Sequence, residues 1–139
     1  MLEHSLLRSP TCTRFINGLA EAYLLRAEQG GASGKAEWLN KAGATCAEAL
    51  KQGKAYLPGM PEAMMLRGRY EWLKGRPAAA DKWWRHSVEL AERTGVRYDL
   101  ARTLLEIGRR TGEQGQAERA EALFAEMGAE WDLERTRAG

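Results

Sequence analysis

Five positions in the stretch from Leu66 to Leu90 return forty residues later: Gly68 as Gly108, Gly75 as Gly115, Ala80 as Ala120, Trp84 as Phe124 and Ser87 as Met127. Three columns hold small residues, the fourth a large aromatic, the fifth a small or flexible side chain. A fixed period of this length marks stacked helical hairpins, because one hairpin cannot bury its apolar face alone and leans on the next. The expectation is an all-α fold of about three antiparallel hairpins, six to seven helices in all.

The punctuation of the chain agrees. Ser9-Pro10 pairs a capping hydroxyl with a proline in the first turn, a good helix start. Phe15, Ile16, Leu19, Tyr23 and Leu24 follow at three- and four-residue steps, and Gly30-Gly31-Ala32-Ser33-Gly34 stops that helix. A second helix carries Trp38, Leu39, Ala42, Cys46, Ala49 and Leu50 on one face. Its Ala42, Cys46 and Ala49 are spaced as Ala80, Trp84 and Ser87 are, which makes residues 9–55 a degenerate first repeat. Tyr56 to Pro61 is a break, since two prolines and a glycine bar a continuous helix.

Residues 61–95 and 97–128 form the next two repeats. The third helix is expected from Pro61 to Lys74, with a turn at Gly75-Arg76-Pro77 and a fourth helix ending at Thr94-Gly95. A fifth spans Tyr98 to Arg110, Gly112 to Gly115 closes it, and a sixth runs from Gln116 to Met127. Residues 129–139 make a capping helix and tail, with Trp131 closing the open end of a single domain. No segment alternates apolar and polar residues long enough to be a strand.

The recurring glycines carry a packing argument. Glycine inside a helix costs about 1 kcal/mol relative to alanine, so matched glycines imply helices that cross closely. Gly68 and Gly108 serve that need on the first helix of a hairpin, Ala80 and Ala120 on the second. Trp84 and Phe124 then fill the space between hairpins, each ring contributing about 2–3 kcal/mol.

These residues resemble the tetratricopeptide repeat, in which a large residue, leucine, glycine and an aromatic are followed by alanine, phenylalanine and alanine. Met64, Gly68, Ala80, Trp84 and Ser87 fit five columns, and Leu104, Ile107, Gly108, Ala120 and Phe124 fit five in the next repeat. Arg67 stands in the leucine column, Glu71 and Thr111 in the aromatic column, and the closing proline is absent. The resemblance implies a right-handed superhelix whose first helices line a concave groove. A narrower likeness lies in GRYEWLKGRPAAA, ARTLLEIGRR and AEALFAEMGAEWDLERTR. These are similar to the C-terminal repeat tails of large bacterial signalling proteins, where a cyclase, kinase or DNA-binding domain is joined to an ATPase. By that likeness the chain is the repeat tail and carries no catalytic part.

Composition narrows the partner classes. The formal charge of +2 is too mild to argue for nucleic acid by itself. Acidic residues also interleave with Arg67, Arg69, Arg76, Lys82 and Arg85, the basic residues such a partner would use. Cys12 and Cys46 fit a reducing cytoplasm as small buried hydrophobes. MLEHSLLRSP lacks the basic start and apolar run of a signal peptide, and no stretch approaches a membrane span. A cytoplasmic protein with no membrane or nucleic-acid partner is expected.

Several motifs are near misses. Gln29 to Ala36 approaches a phosphate-binding loop, but Gln29 replaces its first glycine and Ala36 the hydroxyl that holds magnesium. It reads as a turn. His86 and Glu89 share a helix face without the further ligands a metal needs. No serine sits in a nucleophile elbow and no carboxylate pair stands out. No catalytic residue, cofactor or metal is expected, and the chain is read as a non-enzyme.

The functional expectation rests on the groove. The repeat pattern places Met65, Arg69, Trp72, Leu73, Arg102, Leu105 and Arg109 along it. Arginine beside apolar surface suits a peptide or protein segment, an acidic one in particular, since a guanidinium binds carboxylate bidentately. The plainer reading pairs these arginines with Glu62, Glu71 or Glu106. Trp83, beside the buried Trp84, should turn partly outward, as an inter-hairpin residue or as a contact for self-association. The expected protein is a peptide-binding scaffold. Its alternative is a structural or regulatory tail that forms a homodimer or docks on an ATPase or signalling domain.

Overall fold

The structure, a computed structural model, describes residues 10–30 and 34–138. The described chain folds into seven α-helices: α1 Pro10–Gln29, α2 Lys35–Ala55, α3 Met60–Leu73, α4 Pro77–Thr94, α5 Arg97–Thr111, α6 Gln114–Glu126 and α7 Glu130–Ala138. A short 3-10 turn, Leu57–Gly59, stands between α2 and α3. No described residue lies in a strand.

The breaks fall where local chemistry puts them. Pro61 and Pro77 occupy the first turns of α3 and α4, where a missing N–H removes no helical bond. The chain reverses at Gly75 and Gly112, whose φ values of +80° and +78° are left-handed and disfavour a side chain. Gly115, the column-mate of Gly75, lies inside α6 instead. Gly112 makes that turn three residues earlier, so α6 begins at Gln114 rather than Gln116.

Neighbouring helices pack in pairs, α1 with α2, α3 with α4 and α5 with α6, and each hairpin leans on the next through α2–α3 and α4–α5. The first helices α1, α3 and α5 also touch in succession, more closely than α2, α4 and α6 do. One face of the stack is therefore a sheet of first helices. α7 packs on α6. The side chain of Trp131, expected to close the stack, lies outside the described residues.

Two apolar clusters fill the interior. One gathers Leu24, Ala42, Cys46, Met65, Leu66, Ala80, Trp84 and Ile107 from the first five helices. The other gathers Leu100, Leu104, Leu105, Ala120 and Phe124 from the third hairpin, and Val88 of α4 packs against both. The second-helix columns are buried in Ala42, Cys46 and Ala49, in Ala80, Trp84 and Ser87, and in Ala120 and Phe124, whereas Met127, the last member of the third column, is only half-buried.

The two matched glycines meet different partners. A Cβ on Gly68 would stand 2.3 Å from Nε1 of Trp84, so its absence admits the indole edge. That nitrogen donates to the Met65 carbonyl at 3.1 Å, which satisfies the one polar atom of the buried ring. A Cβ on Gly108 would stand 2.9 Å from Cβ of Ala117, so there the glycine lets α5 and α6 themselves approach. Ser87 adds a polar tie, its hydroxyl donating to the Pro61 carbonyl at 2.7 Å and lying 2.9 Å from the Thr103 hydroxyl.

Candidate functional site: the cleft between the first helices

α1, α3 and α5, with Phe124 of α6 and Asp132 of α7, line a cleft of about 750 Å³. Its apolar lining is Met65, Leu105 and Phe124, all buried, with Leu25 and Tyr98 exposed at 43% and 42%. Its charged lining is four arginines, Arg69, Arg102, Arg109 and Arg110, against Glu21, Glu28, Glu106 and Asp132. The cleft thus carries balanced charge rather than a positive field.

Met65, Arg69, Arg102, Leu105 and Arg109 all line this cleft, as the repeat pattern places them. Trp72 and Leu73 do not. They pack half-buried against the first apolar cluster, with the rings of Trp72 and Trp84 centred 5.8 Å apart. The cause is Gly68, one turn before Trp72. The indole of Trp84 reaches the surface of α3 there, and Trp72 finds a ring to cover.

The arginines are held by carboxylates on other helices. Arg69 donates twice to Glu106, from Nε at 3.2 Å and from Nη2 at 3.0 Å, and stands 4.0 Å from Glu21. Glu106 is buried and also accepts from Nε of Arg110 at 2.9 Å. Burial alone would raise its pKa, but Arg69 and Arg110 outweigh it and hold the carboxyl below the usual range. Arg102 reaches Glu62 on α3 through Nη1 and Glu21 on α1 through Nη2, and Arg110 reaches Glu28 on α1 through Nη2. Asp99 sits nearby under the opposite balance. Burial, then Glu62, push its carboxyl up to about 6 against the pull of Arg102.

Glu21, Glu28, Arg110 and Asp132 were not read from the sequence as lining residues. Glu62 and Arg102 offered a signal, since they occupy one column of the forty-residue recurrence with opposite charges. Residues one repeat apart face each other on adjacent first helices, so opposite signs there mark a pair.

Outside the cleft, Trp83 is half-buried and the guanidinium of Arg67 lies 5.8 Å from its ring centre and 5.3 Å from that of Tyr70. Arg67 also pairs with Glu71 at 3.2 Å, and Glu71 accepts from Arg76 at 3.1 Å. The two columns where the sequence departs from the repeat pattern are thus joined in one charged cluster. Cys46 is a buried thiol, pushed up to about 12 by its burial, so it is protonated and unreactive at neutral pH. The phosphate-loop near miss begins on the last residue of α1, Gln29, and ends in the first turn of α2 at Lys35-Ala36, and its residues 31–33 lie outside the described residues. His86 and Glu89 are both exposed, and no group of three or more His, Cys, Asp or Glu among the described residues could hold a metal. No described helix is long and apolar enough to cross a membrane.

No protein-family model, curated protein or solved structure matches the chain significantly.

Proposed function

We propose that the protein is a non-enzymatic scaffold of the tetratricopeptide kind, a superhelix that takes a peptide or protein segment in the cleft between its first helices. The observation that carries this reading is the cleft itself. Buried Met65, Leu105 and Phe124, exposed Leu25 and Tyr98, and four arginines meet in one concave site of about 750 Å³. The lining joins these five apolar or aromatic side chains to the four arginines and four carboxylates, a mixed concave surface on which charged groups can fix the orientation of a bound segment. Arginines beside exposed apolar side chains suit a segment with both apolar and charged residues.

The test is selection from an unbiased displayed peptide library, followed by affinity measurements on Leu25→Lys and Arg109→Glu. Both positions are exposed, so the fold tolerates the change. Selected peptides are expected to bind at least about tenfold more weakly to each variant. Peptides indifferent to both changes would place recognition elsewhere.

The second reading is a tail that self-associates or docks on another domain. Its support is two exposed apolar side chains, Phe15 at 66% and Leu57 at 57%. Sedimentation velocity across a concentration range separates the two, since that reading expects a dimer weakened by Phe15→Ser.

A further inference from the structure

Two contacts in the cleft run from the first hairpin to the third, bypassing α3. Glu21 and Glu28 project from α1, seven residues apart, and meet Arg102 and Arg110 on α5, eight residues apart. Two turns of helix span about 11 Å, so these are two parallel rungs across the cleft.

The rungs share one design. Each arginine has an inner carboxylate and an outer one. Arg102 gives Nη1 to Glu62 and Nη2 to Glu21, while Arg110 gives Nε to Glu106 and Nη2 to Glu28. The outer glutamates are the more exposed, at 37% and 28% against 26% and 8% for Glu62 and Glu106. Removing an outer glutamate therefore leaves the guanidinium positioned from within, with Nη2 free to bind another carboxylate. Arg69 differs, since both of its donating nitrogens serve the buried Glu106.

We propose that Glu21 and Glu28 act as internal occupants of the cleft, and that the segment it takes is an acidic one whose carboxylates displace them from Arg102 and Arg110. This rests on the groove reading above. The outer glutamates set the charge balance: four arginines face four carboxylates, and without Glu21 and Glu28 the lining holds a surplus of two positive charges. Leu25 stands between the two glutamates on α1, where it can pack against an apolar residue between the incoming acids. The native contact is autoinhibitory, because a site filled by its own chain binds more weakly by the fraction of time it is open.

The probe is a dye-labelled peptide of glutamates, followed by fluorescence anisotropy at low salt. Glu21→Gln/Glu28→Gln is expected to bind it about tenfold more tightly than the parent chain, and Glu28→Gln alone about threefold. The gain should disappear at high salt, as screening requires. It should also disappear when Arg102→Gln/Arg110→Gln is added. Glu89→Gln/Glu118→Gln raises the net charge equally on exposed positions away from the cleft lining and should give no gain. Circular dichroism confirms that each variant is helical, and the single variant decides if the double one is not. Unchanged or weaker binding in folded Glu28→Gln, or an equal gain in the control, overturns the proposal. If the displayed library still yields peptides sensitive to Leu25→Lys, only this inference fails. If it yields none, the groove reading fails with it.

Discussion

The apolar seam around Trp84, where α3 meets α4, and the cleft between first helices are built on different principles, though α3 contributes to both. In the seam, Gly68 admits Trp84, and the indole N–H is satisfied by a carbonyl of the same hairpin. Size and shape decide what fits there. In the cleft, Arg69, Arg102 and Arg110 are fixed by carboxylates from α1, α3 and α5, and charge pairing decides the geometry. A seam of this kind resists change at every position. A cleft held by partly exposed ion pairs can exchange partners at modest cost, since such pairs contribute little to stability. Rigidity thus belongs to the seam and exchange to the cleft.

The largest expected break is in the seam. Trp84→Ala should cost about 3–5 kcal/mol in a urea or thermal melt, because the fully buried ring leaves a cavity and the indole bond to the Met65 carbonyl is lost. A loss below about 1 kcal/mol would contradict the register. Next comes the one cleft residue that behaves like the seam. Glu106→Gln should cost about 2–4 kcal/mol, since it removes the bidentate partner of the largely buried Arg69 and leaves it only Glu21 at 4.0 Å. Gly68→Ala should cost about 1–3 kcal/mol, its methyl meeting the indole. Rescue by Trp84→Phe, which removes the crowding nitrogen, would sharpen that assignment.

Asp99 gives a prediction of opposite sign. Its folded pKa of about 6 lies above the ordinary value of an aspartate carboxyl, so the native state binds the proton more tightly than the unfolded chain. Its contribution is favourable at low pH and is lost as pH rises through about 6. Asp99→Asn should therefore stabilise the protein by about 1–3 kcal/mol at pH 7, with the gain fading toward pH 4. A gain that did not depend on pH would assign it to another cause. The smallest effect belongs to the cleft rungs. Glu28→Gln should change stability by less than about 1 kcal/mol while altering carboxylate binding, the divergence that separates cleft from seam.

The seam was legible in the sequence because burial repeats. Ala80, Trp84 and Ser87 recur as Ala120, Phe124 and Met127 at helical spacing, small, large, then small or flexible, and the loosened first repeat keeps that spacing in Ala42, Cys46 and Ala49. The helix count, the breaks at Pro61 and Pro77 and the reversal at Gly75 were legible for the same local reasons. The turn at Gly112 was half-legible, since two glycines competed and the forty-residue register favoured Gly115. In the cleft, Met65, Arg69, Arg102, Leu105 and Arg109 followed from the register alone. Glu21 and Glu28 did not, because a charge that matters through a partner more than eighty residues away leaves no periodic trace. Trp72 escaped for a third reason. Its neighbour in space, Trp84, is set by a glycine on a different turn.

The most direct test of the cleft as the working surface is an amide chemical-shift titration of the labelled protein with a library-selected peptide. The account expects shifts concentrated on α1, α3 and α5, around Leu25, Met65, Arg102 and Leu105, with the second helices little changed. Shifts confined to α2 and α4 around Trp83, with the cleft amides unmoved, would contradict it.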